Sequence, residues 1–125
     1  MANAKKPIIL ICDDEEGIRE SLKLILEDHY ALIVTEGGAQ AIEVITHDKD
    51  KTIAVAFLDI KMPKIHGLEV LKMIKEKRAD LPVIMVTGYR SVETASEAAK
   101  LGAQGYIVKP FNSEEIRAAV RRYIK

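Results

Sequence analysis

The sequence has little cysteine, few aromatic residues and no excess of charge of either sign. A single thiol, Cys12, excludes a disulfide scaffold and favours a reducing, cytoplasmic location. Lys and Arg total 19, as do Asp and Glu, so the net charge is zero, which argues against direct nucleic acid binding through bulk positive charge. No apolar run is long enough to cross a membrane, and the first residues lack the apolar stretch of a signal peptide.

Length and composition indicate one globular domain. The chain has 125 residues, of which 48% are hydrophobic and 30% charged, and this composition supports a single core while excluding a disordered chain. No internal repeat, low-complexity segment or linker divides it. We therefore predict a single domain over residues 1–125.

Short apolar runs alternate with helical patterns along the whole chain. Strands are predicted at residues 7–12, 31–35, 53–58, 83–86 and 105–108. A helical stripe follows each strand, and the last is the clearest, with Asn112 and Glu115 spaced as a capping box. Its predicted core residues are Ile116, Ala119, Val120, Tyr123 and Ile124. Five strand–helix units predict an α/β fold, a doubly wound parallel five-stranded sheet with helices on both faces.

Polar residues follow four of the five predicted strands. Asp13 and Asp14 follow the first strand, Asp59 the third, Thr87 the fourth and Lys109 the fifth. The carboxyl ends of parallel strands share one edge of the sheet, where ligands of such folds bind. Each close pair of carboxylates would repel by about 4 kcal/mol at ~4 Å in a protein-like dielectric, so the cluster needs cations or protons. All-oxygen ligands suit Mg²⁺.

This residue set also suits phosphoryl transfer. Beside Mg²⁺ and the Lys109 ammonium, Asp59 could attack a phosphoryl group and form an aspartyl phosphate, because both cations would hold the phosphoryl oxygens. Thr87 would donate a hydrogen bond to one of those oxygens. We accordingly predict Asp59, Lys109 and Thr87 as the catalytic residues.

In these motifs the chain resembles the receiver domain of two-component response regulators. The matching segments are Asp13-Asp14, Asp59 with Met62-Pro63 and Gly67, Thr87-Gly88, and Lys109-Pro110-Phe111, and they extend over nearly the whole chain. Residues 86–111 look most like receivers of the nitrogen-regulation class of transcription activators. The resemblance implies the flavodoxin-like receiver fold with strand order 2-1-3-4-5.

The resemblance also implies a role for each residue of the acidic cluster. Asp59 would be the phosphoacceptor. Asp14, Asp59 and the main-chain carbonyl of Lys61 would ligate Mg²⁺, and Asp13 would act through a water molecule. Lys109 would contact the phosphoryl group, next to a cis peptide bond.

Switching and partners follow from the same resemblance. Thr87 and Tyr106 match the family's switch pair, which changes the surface of the fourth helix, last strand and last helix. A sensor histidine kinase or a histidine phosphotransfer protein would donate the phosphoryl group, and an effector domain or protein would read the surface. A homodimer through that surface is a further option. The domain would phosphorylate and dephosphorylate itself rather than turn over an external substrate.

Three further positions matter in the comparison with the family: one departs from its pattern, and two match positions that vary within it. His66 stands before Gly67, where the family often has Asp or Asn. Lys61 and Tyr89 match the positions that set phosphoryl lifetime, and we hypothesise that Tyr89 shields the acyl phosphate from water. The three histidines show no metal-ligand spacing, and Cys12 is expected to be a packed core thiol.

Other interpretations stay open at this point. Asp13-Asp14 could merely cap the first helix, and Tyr106 could be a fixed aromatic residue. The chain could be a receiver-like interaction module that takes no phosphate. A Mg²⁺-dependent aspartyl-phosphate phosphatase fits less well, because its first-strand acids are spaced D-x-D and it usually carries a cap domain. A flavodoxin-like carrier fits poorly, because the acidic loop after the first strand would repel a flavin phosphate.

Overall fold

The computed structural model describes residues 6–124, in which five strands alternate with five helices. The strands are β1 (Ile8–Cys12), β2 (Ala31–Thr35), β3 (Ile53–Leu58), β4 (Val83–Thr87) and β5 (Gly105–Val108). The helices are α1 (Glu16–Leu26), α2 (Gly38–His47), α3 (Gly67–Lys77), α4 (Val92–Lys100) and α5 (Ser113–Tyr123). The extreme ends of the predicted domain, residues 1–5 and 125, lie outside the described residues.

The five strands form one parallel sheet in the order β2-β1-β3-β4-β5. This confirms the predicted doubly wound α/β fold and its strand order. The order reverses at β1, which lies between β2 and β3, so the carboxyl ends of β1 and β3 border the crevice where such sheets bind ligands.

Two strand boundaries differ from the predicted ones. β1 begins at Ile8, because Pro7 has no N–H to donate, although its carbonyl still accepts a hydrogen bond from Ala31. β4 runs one residue further than predicted, to Thr87, which is paired with Val108. The extra residue fixes the Thr87 hydroxyl to a rigid strand rather than to a loop.

The sheet has an apolar core on each face. In β1, Leu10 and Cys12 face the core under α2 and α3, whereas Ile9 and Ile11 face the core under α1 and α5. All four are buried. The continuous apolar run of β1 is thus explained by burial on both faces.

Helix ends are fixed by local hydrogen bonds. The predicted capping box is confirmed, because Asn112 accepts from the Glu115 N–H at 2.9 Å and Glu115 accepts from the Asn112 N–H at 3.0 Å. Gly102 follows α4 at φ +106°, a conformation that favours glycine over any residue with a side chain. Ile124, predicted in the α5 stripe, lies one residue beyond the helix and still packs on its core. Among the described residues, none of the helices combines the length and apolar character that a membrane crossing demands.

A buried arginine ties the amino edge of the sheet together. Arg78, at the end of α3, contacts Asp48 after α2 at 3.1 Å and Asp80 at 3.1 Å, and donates to the Ile53 carbonyl of β3 at 3.3 Å. Asp48 in turn accepts from the Thr52 and Ile53 amides. This ion pair therefore joins α2, α3 and β3 at the end of the molecule opposite the acidic cluster.

We predict that Arg78→Ala lowers the free energy of unfolding by about 3 kcal/mol, because it leaves the buried Asp48 carboxylate without its counter-ion. Urea unfolding monitored by circular dichroism measures the change. The control is Lys77→Ala, which removes an exposed cation from the same helix end and should cost less than about 0.5 kcal/mol. Equal losses in the two variants would contradict the role given to Arg78.

Candidate functional site

The polar residues predicted at the strand ends meet in one cleft at the carboxyl edge of the sheet. The cleft has a volume of about 470 Å³. Its lining residues are Asp14, Glu15, Asp59, Lys61, Thr87, Gly88, Tyr89 and Lys109. The prediction that the ends of β1, β3, β4 and β5 share one site is thereby confirmed.

Three carboxylates form the acidic centre of this cleft. Asp13, Asp14 and Asp59 each offer an oxygen, and these oxygens lie within 4.8 Å of one another. Asp13 is 2% exposed and Asp59 is 3% exposed, whereas Asp14 is exposed to solvent. Two of the three acids are thus held where water can stabilise their charge only weakly.

Lys109 is the cation that balances the buried acids. Its Nζ lies 3.0 Å from Asp13 Oδ2, 3.1 Å from Asp59 Oδ2 and 2.8 Å from Glu15 Oε1. Burial works to lower the pKa of Lys109, but its hydrogen bonds to Glu15 and Asp13 and the charges of Asp13 and Asp59 outweigh burial and raise it. Lys109 is therefore a fixed positive charge in the cleft at any pH near neutral.

Main-chain amides orient the two buried carboxylates. Asp59 Oδ1 accepts from the Ile60 N–H at 2.7 Å, and Asp13 Oδ1 accepts from the Glu15 N–H at 2.9 Å. In each case the other oxygen, Oδ2, contacts Lys109. The Arg19 guanidinium donates to the Asp13 carbonyl at 2.9 Å and so braces the loop after β1.

The β3–α3 loop after Asp59 requires a glycine at its end. The Gly67 N–H donates to the Ile60 carbonyl at 2.7 Å. A Cβ atom at position 67 would lie 2.0 Å from the Asp59 carbonyl oxygen, far inside van der Waals contact. Glycine thus lets the start of α3 pass directly against the main chain of the proposed phosphoacceptor.

Thr87 and Tyr106 are connected through the main chain of Tyr89. The buried Thr87 hydroxyl accepts from the Tyr89 N–H at 3.3 Å, and the Tyr106 hydroxyl donates to the Tyr89 carbonyl at 3.0 Å. Tyr106 also borders a smaller groove of about 170 Å³ beside the alanine face of α4. The predicted switch pair therefore has a physical link, which passes through the β4–α4 loop.

The remaining predicted residues take the following positions. Lys61 is exposed and lines the cleft. His66 caps α3 by accepting from the Leu68 N–H at 3.3 Å. Cys12 is a packed core thiol, as expected, and burial raises its pKa to about 11, which keeps it protonated.

Asp13 and Asp14 are more than a helix cap. The N-cap residue of α1 is Glu15, and it makes no side-chain capping bond. Glu15 and Arg19 are the two contributors to the site that sequence reasoning missed. The only available signal was that Glu15 directly follows the two acids in the loop CDDEEG.

The donor set fits a Mg²⁺ ion. All three clustered side chains offer carboxylate oxygens, which are the ligands that hard divalent cations prefer. One acid of the three is exposed to the cleft, so an ion that retains part of its water shell could enter. Among the residues that the structure describes, no histidine or cysteine belongs to the cluster, which disfavours a zinc-type site.

The fold and the cleft together define a doubly wound α/β protein with an acidic, magnesium-type site. The model of the response regulator receiver domain matches residues 9–121, and the chain belongs to this family. It is a receiver domain of the kind that operates in two-component phosphorelays, as its motifs predicted.

The similar sequences include one protein that the match covers almost completely and another that is about four times as long as the matched part. Sporulation initiation phosphotransferase F of Bacillus subtilis is 34% identical over 117 residues, which are 93% of this chain and 92% of that protein. A putative NtrX-like response regulator of Rickettsia typhi is 37% identical over 91% of this chain, but the match covers only 24% of that protein. The second similarity agrees with the predicted likeness to the nitrogen-regulation class.

Solved structures agree with the fold. A CheY-like receiver domain from Methanospirillum hungatei superposes with a TM-score of 0.87 at 32% identity, over 95% of this chain and 93% of that chain. A response regulator from Burkholderia pseudomallei, solved with a phosphorylated aspartic acid, a calcium ion and citrate, gives a TM-score of 0.82 at 29% identity. That match covers 91% of this chain and 66% of that chain.

The raised pKa of Asp13 gives a testable pH dependence. Burial, the largest influence, raises it from 3.8 to about 6, helped by the Asp59 charge and opposed by the Glu15 amide and Lys109. Because the folded state binds this proton more tightly than the unfolded state, stability falls as the pH rises from about 4 to 6 and stays lower above that range. At pH 7.5, with metal chelated, Asp13→Asn should therefore stabilise the protein by about 3 kcal/mol.

Urea unfolding of wild type and Asp13→Asn between pH 4 and 8 measures this effect. The stability gain should shrink to below about 1 kcal/mol at pH 4, where the folded-state carboxyl is protonated and the unfolded-state carboxyl, with a pKa of 3.8, is about half protonated. The exposed Asp14→Asn, which removes the same charge, serves as the control and should gain less than half as much. A destabilised Asp13→Asn at pH 7.5 would show that the Lys109 contact outweighs the burial of the charge.

Proposed function

We propose that this receiver accepts a phosphoryl group on Asp59, in a Mg²⁺-dependent reaction, from the phosphohistidine of a sensor histidine kinase or a histidine phosphotransfer protein. The observation that carries the proposal is the position of Asp59, a buried carboxylate 3.1 Å from Lys109 that opens into the cleft. The phosphorylated aspartic acid in the Burkholderia pseudomallei relative supports the chemistry.

Besides Mg²⁺, the transfer needs the residues of the cleft, the phosphohistidine donor and a proton from solvent. A carboxylate oxygen of Asp59 attacks phosphorus, the new O–P bond forms, and the P–N bond to the donor imidazole breaks. The departing nitrogen keeps the electron pair and takes up a proton. Lys109 neutralises charge on the phosphoryl oxygens, and the Thr87 hydroxyl, which also lines the cleft, donates to one of them.

Asp14, Asp59 and the main-chain carbonyl of Lys61 would hold Mg²⁺ at this site, and Asp13 would act through a water molecule. When bound, it would supply further positive charge to the phosphoryl oxygens and offset the repulsion within the acidic cluster. The amide of Ile60 holds Asp59 in a fixed orientation meanwhile.

Phosphorylation would switch the surface formed by α4, β5 and α5. If a phosphoryl oxygen draws the Thr87 hydroxyl inward, the hydroxyl moves away from the Tyr89 N–H, whose hydrogen bond it accepts. The Tyr89 carbonyl is the acceptor for Tyr106, so the change would reach β5 and the groove beside α4. An effector that favours one of the two states would then bind in proportion to their populations.

The proposal also covers the cellular location of the domain, its oligomeric state and its downstream partners. Residues 1–125 form a single receiver that works in the cytoplasm, without binding nucleic acid itself, and a homodimer could form through the α4–β5–α5 surface. The near full-length match to the Bacillus subtilis phosphotransferase is compatible with passing the group onward. The partial match to the NtrX-like regulator is equally compatible with control of an attached effector.

We predict that wild type gains one labile phosphoryl group after incubation with Mg²⁺ and a small phosphoryl donor, whereas Asp59→Asn gains none. Intact-mass spectrometry measures the gain, and chelation of the metal should abolish it. Circular dichroism confirms that both proteins are folded. A folded wild type without any gain would instead identify a receiver-like interaction module that takes no phosphate.

Tyr89 should slow the loss of the phosphoryl group. Tyr89 is 38% exposed and lines the cleft beside Thr87. Removing the ring admits water to the acyl phosphate, so Tyr89→Ala should hydrolyse several-fold faster when the decay of the phosphorylated mass is followed. Val92→Ala, at an 82% exposed position outside the cleft lining, should decay like wild type. An unchanged rate in Tyr89→Ala would reject the shielding role.

A further inference from the structure

The Lys109 ammonium is surrounded by three carboxylates. A lysine ammonium has three N–H donors. Lys109 donates to Glu15 at 2.8 Å and to Asp59 at 3.1 Å, and its Nζ lies 3.0 Å from Asp13 Oδ2 in an ion pair. A phosphoryl oxygen that approaches Lys109 therefore competes with these carboxylates for its charge and its N–H groups.

The three carboxylates differ in how easily they can be released. Asp13 and Asp59 are buried, and before the new bond to Asp59 forms, separation from Lys109 would leave either charge without a partner in a low-dielectric setting. The Glu15 side chain is 60% exposed, so water can solvate it as soon as it leaves. Glu15 also stands outside the group of acids that can share a metal ion.

Glu15 occupies the place that an incoming anion needs. It lines the cleft together with Lys109 and Asp59, and its contact with Lys109 is the shortest of the three. Its negative charge also repels a phosphoryl group at the mouth of the cleft. The contact of Glu15 with Lys109 and the negative charge of Glu15 therefore both oppose the binding of a phosphoryl group.

We infer that Glu15 is a positioning residue that competes with the phosphoryl group for Lys109 and so sets the affinity of this receiver for phosphoryl groups. The inference rests on the proposed function of Asp59 and goes beyond it by assigning a residue that regulates the same site. In the unphosphorylated protein Glu15 holds Lys109 at the cleft. On phosphorylation the Glu15 carboxylate leaves Lys109 for solvent, and a phosphoryl oxygen takes the freed donor.

The test is the affinity for beryllofluoride, a phosphoryl analogue, in the presence of Mg²⁺. An exposed ion pair of this kind shifts an equilibrium by up to about fivefold, so Glu15→Ala should bind beryllofluoride about three- to fivefold more tightly than wild type. Fluorine NMR titration measures the affinity directly. Glu15 makes no capping bond for α1, so this substitution leaves the helix start intact.

Glu16→Ala is the matched control. It removes the same charge one residue further along, from an exposed side chain outside the cleft lining. It should change beryllofluoride affinity by less than about 1.5-fold. Affinity for Mg²⁺ alone, measured by calorimetry, should differ by less than about twofold between the two variants, because the contact with Lys109 concerns the anion and not the metal.

The outcomes separate the inference from the proposed function. Wild type that binds no beryllofluoride overturns both. Wild type that binds it, with Glu15→Ala equal to or weaker than wild type, overturns the inference alone. Equal tightening in Glu15→Ala and Glu16→Ala also overturns it, since the effect would then be one of net charge. Tightening confined to Glu15→Ala, with matched Mg²⁺ affinities, supports it.

Discussion

The contact of Lys109 with two buried carboxylates is the interaction on which the site depends. Asp13 and Asp59 are nearly inaccessible to water, and each would be costly to ionise there without a nearby cation. Lys109 compensates them only in part, because burial still raises the pKa of Asp13 to about 6. Lys109 therefore offsets only part of the cost of burying these charges, and a divalent cation bound in the cleft would offset more of it.

The fold makes this arrangement possible by separating stability from function. The two apolar cores and the Arg78 ion pair at the amino edge hold the sheet together. The carboxyl edge can therefore hold buried carboxylates, although these lower the free energy of unfolding. Asp59 leaves a central strand, β3, and Lys109 leaves the edge strand β5, so the site joins the rigid middle of the sheet to a strand that is only half-buried. Chemistry at Asp59 can thereby reach the α4–β5–α5 surface.

The fold and the residues at the strand ends could be predicted from the sequence. The side-chain contacts between distant parts of the chain could not, for physical reasons. Buried strands can be recognised in the sequence as apolar runs. The parallel topology then brings residues at the carboxyl ends of these strands, such as Asp59 and Lys109, to the same edge of the sheet. Glu15 could not be assigned in this way, because its contact with Lys109 joins residues 94 positions apart and depends on side-chain length. The Arg78 ion pair likewise joins residues 30 positions apart. The link from Thr87 to Tyr106 runs through main-chain atoms of Tyr89, which carry no sequence signal.

The central claim is that the strand ends build one Mg²⁺- and phosphoryl-binding cleft around Asp59. A crystal structure of the protein grown with Mg²⁺ and beryllofluoride tests it most directly. The account predicts a metal ion held by Asp14 and Asp59, beryllofluoride bonded to the Asp59 carboxylate, and Lys109 in contact with a fluorine atom. An unmodified Asp59, with the metal or the fluoride bound elsewhere on the molecule, would contradict it.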